Sequence, residues 1–155
     1  MSLPEGPLLG LDPGTVRVGV ASASLLGTVH PVCYLDAEPR DRLLKEIAAL
    51  ARDRQCVGIV VGLPINMNDS EGPAAKSARA FGAEVASATG LPVDFSDERL
   101  TSYSAQQKIG ALGLTRKKRK ARVDAVAAAL LLESYVEERA ARKRREARAQ
   151  PPKTT

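Results

Sequence analysis

Residues 8–21, Leu8-Leu9-Gly10-Leu11-Asp12-Pro13-Gly14-Thr15-Val16-Arg17-Val18-Gly19-Val20-Ala21, decide how this chain folds. A short apolar run enters Asp12-Pro13-Gly14-Thr15, whose residue types favour a tight turn, and a second apolar run leaves it. The pattern predicts a hairpin, with a third strand around residues 29–35. Asp12 shares strand parity with Leu8 and Gly10, so it projects from the end of one strand face.

Beyond the hairpin the period changes. Leu43, Leu44, Ile47, Leu50 and Ala51 recur at helical spacing with charges between them, which predicts a helix over residues 40–54. Val57-Gly58-Ile59-Val60-Val61 is continuously apolar, as a central strand covered on both faces should be. A polar loop, residues 66–72, follows Gly62-Leu63-Pro64. Pro73 suits the first position of a helix and Gly90 its stop. A last strand is expected from Pro92 through Phe95 toward Asp97-Glu98. Thr101 or Ser102 then caps a helix running to about Gly110. A basic segment, residues 115–122, leads into a long Ala- and Leu-rich helix from about Ala121, predicted to fray past Glu138, and Pro151-Pro152 ends in a disordered tail. Hairpin strands followed by alternating helix and strand give an α/β architecture, a mixed five-stranded sheet flanked by helices.

With 155 residues the chain makes one domain with a sizeable core. Its five aromatics and absent tryptophan argue against a protein that holds single strands mainly by stacking. Two cysteines, Cys33 and Cys56, are too few for a disulfide framework or a zinc site, and each is expected in or beside a strand. No signal-peptide pattern opens the sequence and no apolar run approaches a membrane span, so the expected address is the cytoplasm. The charge is unevenly spread. Residues 1–114 hold 10 Lys and Arg against 13 Asp and Glu, a net of −3, whereas residues 115–155 hold 13 against 5, a net of +8. Such asymmetry points to a polyanionic partner, nucleic acid before anionic membrane.

Three acids fall where a site is usually built: Asp12 ends the first strand, Glu98 the last, and Asp124 begins the final helix. Asp124 shares a stripe with Ala128, Leu131 and Tyr135, so it points inward, which is costly without a cation or hydrogen-bond donors. From spacing alone, a helix-start carboxylate met by free amides explains Asp124, and an Asx-turn explains Asp12. Taken together, the three suit a hard cation, Mg2+ or Mn2+, as one or two ions. Carboxylates around such ions bring an attacking water and a leaving oxygen into line at a phosphodiester. His30, the sole histidine, cannot furnish a histidine-based metal centre.

Four blocks resemble the YqgF/RuvX family, in family order. They are residues 9–21 quoted above; Val60-Val61-Gly62-Leu63-Pro64-Ile65-Asn66-Met67-Asn68-Asp69-Ser70-Glu71-Gly72-Pro73; Asp97-Glu98-Arg99-Leu100-Thr101-Ser102; and Val123-Asp124-Ala125-Val126-Ala127-Ala128, continuing to Leu132-Glu133-Ser134-Tyr135. The resemblance implies an RNase H-like nuclease domain over residues 1–138, with residues 139–155 a basic extension outside it. It also implies hydrolysis of phosphodiester bonds, either in maturing the 5′ end of pre-16S rRNA or in resolving Holliday junctions. Carried over by motif, the catalytic and metal-binding acids fall on Asp12, Glu98 and Asp124, with Asp97 a possible auxiliary ligand. Val16 stands where the family often has lysine, which removes one phosphate contact.

Substrate contacts are expected from Lys118, Arg119, Lys120 and Arg122, in the cationic run 116–122 just before Asp124, and from Arg99 beside Glu98. Arg17, Asn66 and Ser70 are further candidates; a solvated loop for the cationic run, a salt bridge to Asp97 for Arg99, and ordinary turn chemistry are the alternatives. The expected partner is structured or single-stranded RNA, or branched DNA, with no membrane involved, and the chain acts as a monomer or homodimer. Paired cuts across a junction need two sites related by a two-fold axis, for which Leu112 and Leu114 are the candidate patch, whereas RNA processing needs one site. RNA processing therefore leads. Two other classes compete. An actin-like ATPase fragment shares the Asp12-x-Gly14-Thr15 turn but needs two lobes. A silent RNA-binding module would not need three intact acids.

Overall fold

A computed structural model of the chain describes residues 3–98 and 116–149, and in the second segment the side chains from residue 124 onward. The predicted hairpin forms from β1 (Leu8–Pro13) and β2 (Arg17–Ala23), antiparallel with Asp12 opposite Gly19. β3 (Val29–Asp36) adds antiparallel to β2, with a register shift where Cys33 faces Val20 and Pro31 faces Ala21. Proline cannot donate to a ladder, and the edge position together with the irregularity accommodates it.

Helix α1 (Arg40–Asp53) buries Leu43, Ile47 and Ala51, as its spacing predicts. β4 (Gly58–Leu63) is buried at every position and lies parallel to β1. Helix α2 (Pro73–Thr89) starts on Pro73 and stops at Gly90, whose φ of 72° is the left-handed conformation that ends helices. β5 (Val93–Asp97) pairs parallel to β4, with Leu63 opposite Asp97. The sheet order is β3-β2-β1-β4-β5. Cys33 lies half-buried in β3, and Cys56 is buried just before β4.

The last helix, α3 (Arg116–Ala149), departs from expectation at both ends. It begins at Arg116 rather than near Ala121, so the basic run is helical, and it remains helical through Ala149, beyond the point where fraying was predicted. The helix predicted from Thr101 or Ser102 and the residues Leu112 and Leu114 lie outside the described residues.

Strand parity divides the core into two layers. Leu9, Leu11, Val18, Val20, Ile59 and Val61 pack with Leu43 and Ile47 of α1 and Phe81 and Val85 of α2. Leu8, Ala21, Ala23 and Val60 point the other way, onto Ala128, Leu131, Leu132 and Tyr135 of α3. Each fully buried leucine contributes about 1.5–3 kcal/mol. Residues 10, 12 and 19 share the α3 face by parity, and glycine at two of them lets the helix lie close. A Cβ on Gly10 would sit 3.1 Å from the Leu132 Cβ, and one on Gly19 would collide with the Asp124 carbonyl. No helix among the described residues is long and apolar enough to cross a membrane.

Candidate active site

Each acid reaches its place by a local rule. Asp12 ends β1 on the face toward α3. Glu98 is fixed one residue past β5, where its backbone N–H donates to the Leu63 carbonyl at 3.2 Å. Its side chain folds back across β4 over Gly62. A Cβ there would collide with Glu98 Oε1 and sit 2.7 Å from its Cδ. The bare backbone of Gly62 is therefore the cradle in which the Glu98 carboxyl rests. Asp124 descends to the sheet because the stripe below it is buried: Ala128 and Leu131 are fully buried and Tyr135 nearly so.

Asp12 and Glu98 meet directly, and their carboxyls share a hydrogen bond. Burial pushes the Glu98 carboxyl up to about 9, helped by that hydrogen bond and by the negative charges of Asp12 and Asp97. Glu98 therefore keeps a proton at neutral pH and donates it to Asp12. Burial also raises Asp12 above the ordinary carboxylate range; the hydrogen bond from Glu98 opposes this, and the charge of Asp124 adds to it. Asp124 is thus near enough to act on Asp12 electrostatically, but its own carboxylate has another partner. Arg17 Nε–H donates to Asp124 Oδ2 at 2.7 Å, and the Arg17 guanidinium lies over the Tyr34 ring at 5.3 Å.

These residues fit a hard divalent cation in chemistry. The donors are all carboxylate oxygens, two of them already in contact, and the proton between them is what a cation would displace. The third acid does not yet complete the set. Among the described residues no three His, Cys, Asp or Glu side chains come close enough to hold one ion together, and Asp124 is paired with Arg17.

The other candidates divide. Arg17 lies in the site, tied to Asp124 rather than exposed for phosphate, a pairing across 107 residues that no sequence spacing reveals. Asn66 and Ser70 bind each other: Asn66 Nδ2–H donates to Ser70 Oγ at 3.1 Å, and the Ser70 hydroxyl donates to Asn68 Oδ1 at 2.6 Å. They shape an exposed loop after β4. Lys118, Arg119, Lys120 and Arg122 occupy the opening turns of α3, immediately before Asp124. Arg99 lies outside the described residues. Val16, on the turn after Asp12, is 70% exposed, so a longer cationic side chain would reach solvent there. Sequence reasoning missed Tyr34 as the platform for Arg17 and Gly62 as the cradle of Glu98. Gly62 stands within one of the family-like blocks, but only the fold gives it a role.

The family model described as "RuvX: Holliday junction resolvase" matches residues 6–138. The chain belongs to the RuvX family. Among its relatives is a protein of Anaeromyxobacter sp. (strain K), 41% identical over 133 residues, which span 85% of this chain and 97% of the relative. Another, from Ligilactobacillus salivarius (strain UCC118), is 38% identical over 136 residues, spanning 85% of this chain and 92% of that one. Both carry the name "Putative pre-16S rRNA nuclease". Among solved structures, Thermus thermophilus RuvC in complex with a Holliday junction substrate superposes with a TM-score of 0.51 at 17% identity, covering 87% of this chain and 96% of that one. At that identity the likeness concerns the fold alone, and the RuvX chain has the RNase H-like fold expected from its motifs.

Proposed function

We propose that this RuvX protein is a metal-dependent nuclease that hydrolyses phosphodiester bonds in the 5′ leader of pre-16S rRNA. The observation that carries this reading is the meeting of Asp12 and Glu98 over Gly62, with Asp124, from a third segment, near enough to act on Asp12 electrostatically. Crowding half-buried acids together costs stability unless a cation or hydrogen-bond donors meet them. The names of relatives near 40% identity support pre-16S rRNA as the substrate.

Asp12, Glu98 and Asp124 would hold Mg2+ or Mn2+, which when bound supplies an activated water and stabilises the leaving oxygen. Glu98 must first lose the proton it shares with Asp12. Arg17 balances the Asp124 charge until that carboxylate is needed and then offers a cation to the phosphate. The run 116–122 puts six cations at the N-terminal end of α3, where the helix macrodipole already favours anions. Affinity for substrate should therefore fall steeply with salt.

A four-way junction is the alternative substrate, favoured by the family's description as a Holliday junction resolvase. The test presents purified protein with a labelled pre-16S leader, duplex DNA and a four-way junction, each with Mg2+, Mn2+ or EDTA. Metal-dependent cleavage of the leader ahead of the others supports the reading. Junction cleavage with an inert leader moves the function to recombination, and no cleavage of any substrate refutes both.

A further inference from the structure

The part of α3 that the family does not share has its own organisation. The family match ends at residue 138, whereas the helix continues to Ala149. Residues 139–155 contain seven Lys and Arg against a single acid, Glu146. At 3.6 residues per turn the cations on the helix fall into two groups, with Arg142 between them. Arg139 and Lys143, one turn apart, are both in use. Arg139 donates to the Leu3 and Pro4 carbonyls, each at 3.1 Å, and stacks on the Tyr135 ring, while Lys143 pairs with Glu5. They fasten the helix to the N-terminal segment. Arg144, Arg145 and Arg148 fall within an arc of about 100° on the opposite side, and all three are exposed.

Three arginines on one arc of a fastened helix repel one another without an anion, and the planar guanidinium matches phosphate better than a lysine does. A membrane surface suits them poorly. The apolar residues of 139–149 are all alanine, with no leucine or aromatic side chain to insert. The same helix carries Asp124, about 36 Å from Arg148 at 1.5 Å per residue, so a phosphate held at Arg148 lies well away from a bond held at the acids. We propose that Arg144, Arg145 and Arg148 form a second phosphate-binding stripe, which grips the backbone of a double-stranded part of the RNA about 36 Å from the acids. The proposal rests on the nuclease reading and adds a contact that the family domain does not provide.

The experiment uses the full chain and a triple variant, Arg144→Gln, Arg145→Gln and Arg148→Gln, whose glutamines keep helix propensity and leave Arg139 and Lys143 in place. Binding is measured against salt for two RNAs, a short single strand of about six nucleotides and a leader carrying a hairpin stem of about fifteen base pairs, with poly-glutamate as a third probe. The salt slope for the long RNA is expected to fall by about 2–3, at 0.7–0.9 per lost phosphate contact, with affinity at least tenfold weaker near physiological salt. The short RNA should bind both proteins alike. An unchanged slope on the long RNA, or an equal loss on both RNAs, overturns the stripe while the nuclease reading stands. Poly-glutamate binding that only the variant loses, with long-RNA binding intact, also overturns it in favour of an acidic protein partner. A wild-type chain that binds neither RNA overturns the nuclease reading as well.

Discussion

Gly62→Ala adds one methyl group to a central strand at the spot where the Glu98 carboxyl lies. The new Cβ would collide with Glu98 Oε1 and sit 2.7 Å from Cδ and 2.9 Å from Cγ, closer than real carbon atoms approach. Everything it strikes belongs to one flexible side chain, so the strand keeps its register and Glu98 swings away. The lost hydrogen bond to Asp12 costs about 1 kcal/mol. Alanine in place of glycine returns about 0.5–1 kcal/mol by restricting the unfolded chain. The net change should lie within about 1 kcal/mol, roughly 2–4 °C in Tm for a domain of this size. Function should fare worse, since a catalytic group displaced by an ångström or more costs on the order of a hundredfold in rate. Gly19→Ala is the control. Its Cβ meets backbone, colliding with the Asp124 carbonyl, so α3 itself must lift. That overpacking should cost about 1–3 kcal/mol. Thermal unfolding and leader cleavage, measured on both variants, separate the cases. A Gly62→Ala protein that cuts at the wild-type rate would refute the placement of Glu98 over Gly62, as would one that loses as much stability as Gly19→Ala.

Other consequences follow from the same contacts. Because the folded pKa of Glu98 is raised to about 9, ionising it opposes folding, so metal-free protein should lose stability as pH rises from the ordinary glutamate range toward 9. Glu98→Gln should flatten that loss, and Mg2+ should offset it in the wild type only; urea titrations at pH 5, 7 and 9 read both effects. Arg17→Gln leaves the Asp124 carboxylate without its charged donor and should cost about 1–3 kcal/mol in metal-free protein, with the deficit shrinking when Mn2+ is added. Leu131→Ala empties a fully buried position beneath α3 and should cost about 2–5 kcal/mol, read as a lower urea midpoint at unchanged slope.

Much of the fold lay in local signals. The Asp12-Pro13-Gly14-Thr15 turn between two apolar runs marks the β1–β2 hairpin, and Pro73 and Gly90 bracket α2 because their backbone chemistry permits little else there. The three acids could be chosen because two end strands and the third sits on an apolar stripe. What the sequence concealed depends on distant neighbours. The opening of α3 reads as a loop because six cations sit at the helix end that repels them, and neither Arg17's hold on Asp124 nor Glu98's bed on Gly62 leaves a mark in spacing. The end of α3 reads as frayed because it has no apolar period, yet Arg139 and Lys143 fasten it to residues 3–5 at the other end of the chain.

Asp12→Asn tests the metal-dependent nuclease reading most directly, since it changes one atom in the acid that touches Glu98 and feels the charge of Asp124. Mn2+ binding by titration and cleavage of the labelled leader are measured together on wild type and variant, with unfolding to confirm the fold. The variant is expected to fold, to bind the ion far more weakly, and to cut far more slowly than the wild type. An Asp12→Asn protein that binds Mn2+ and cleaves the leader as the wild type does would contradict that reading.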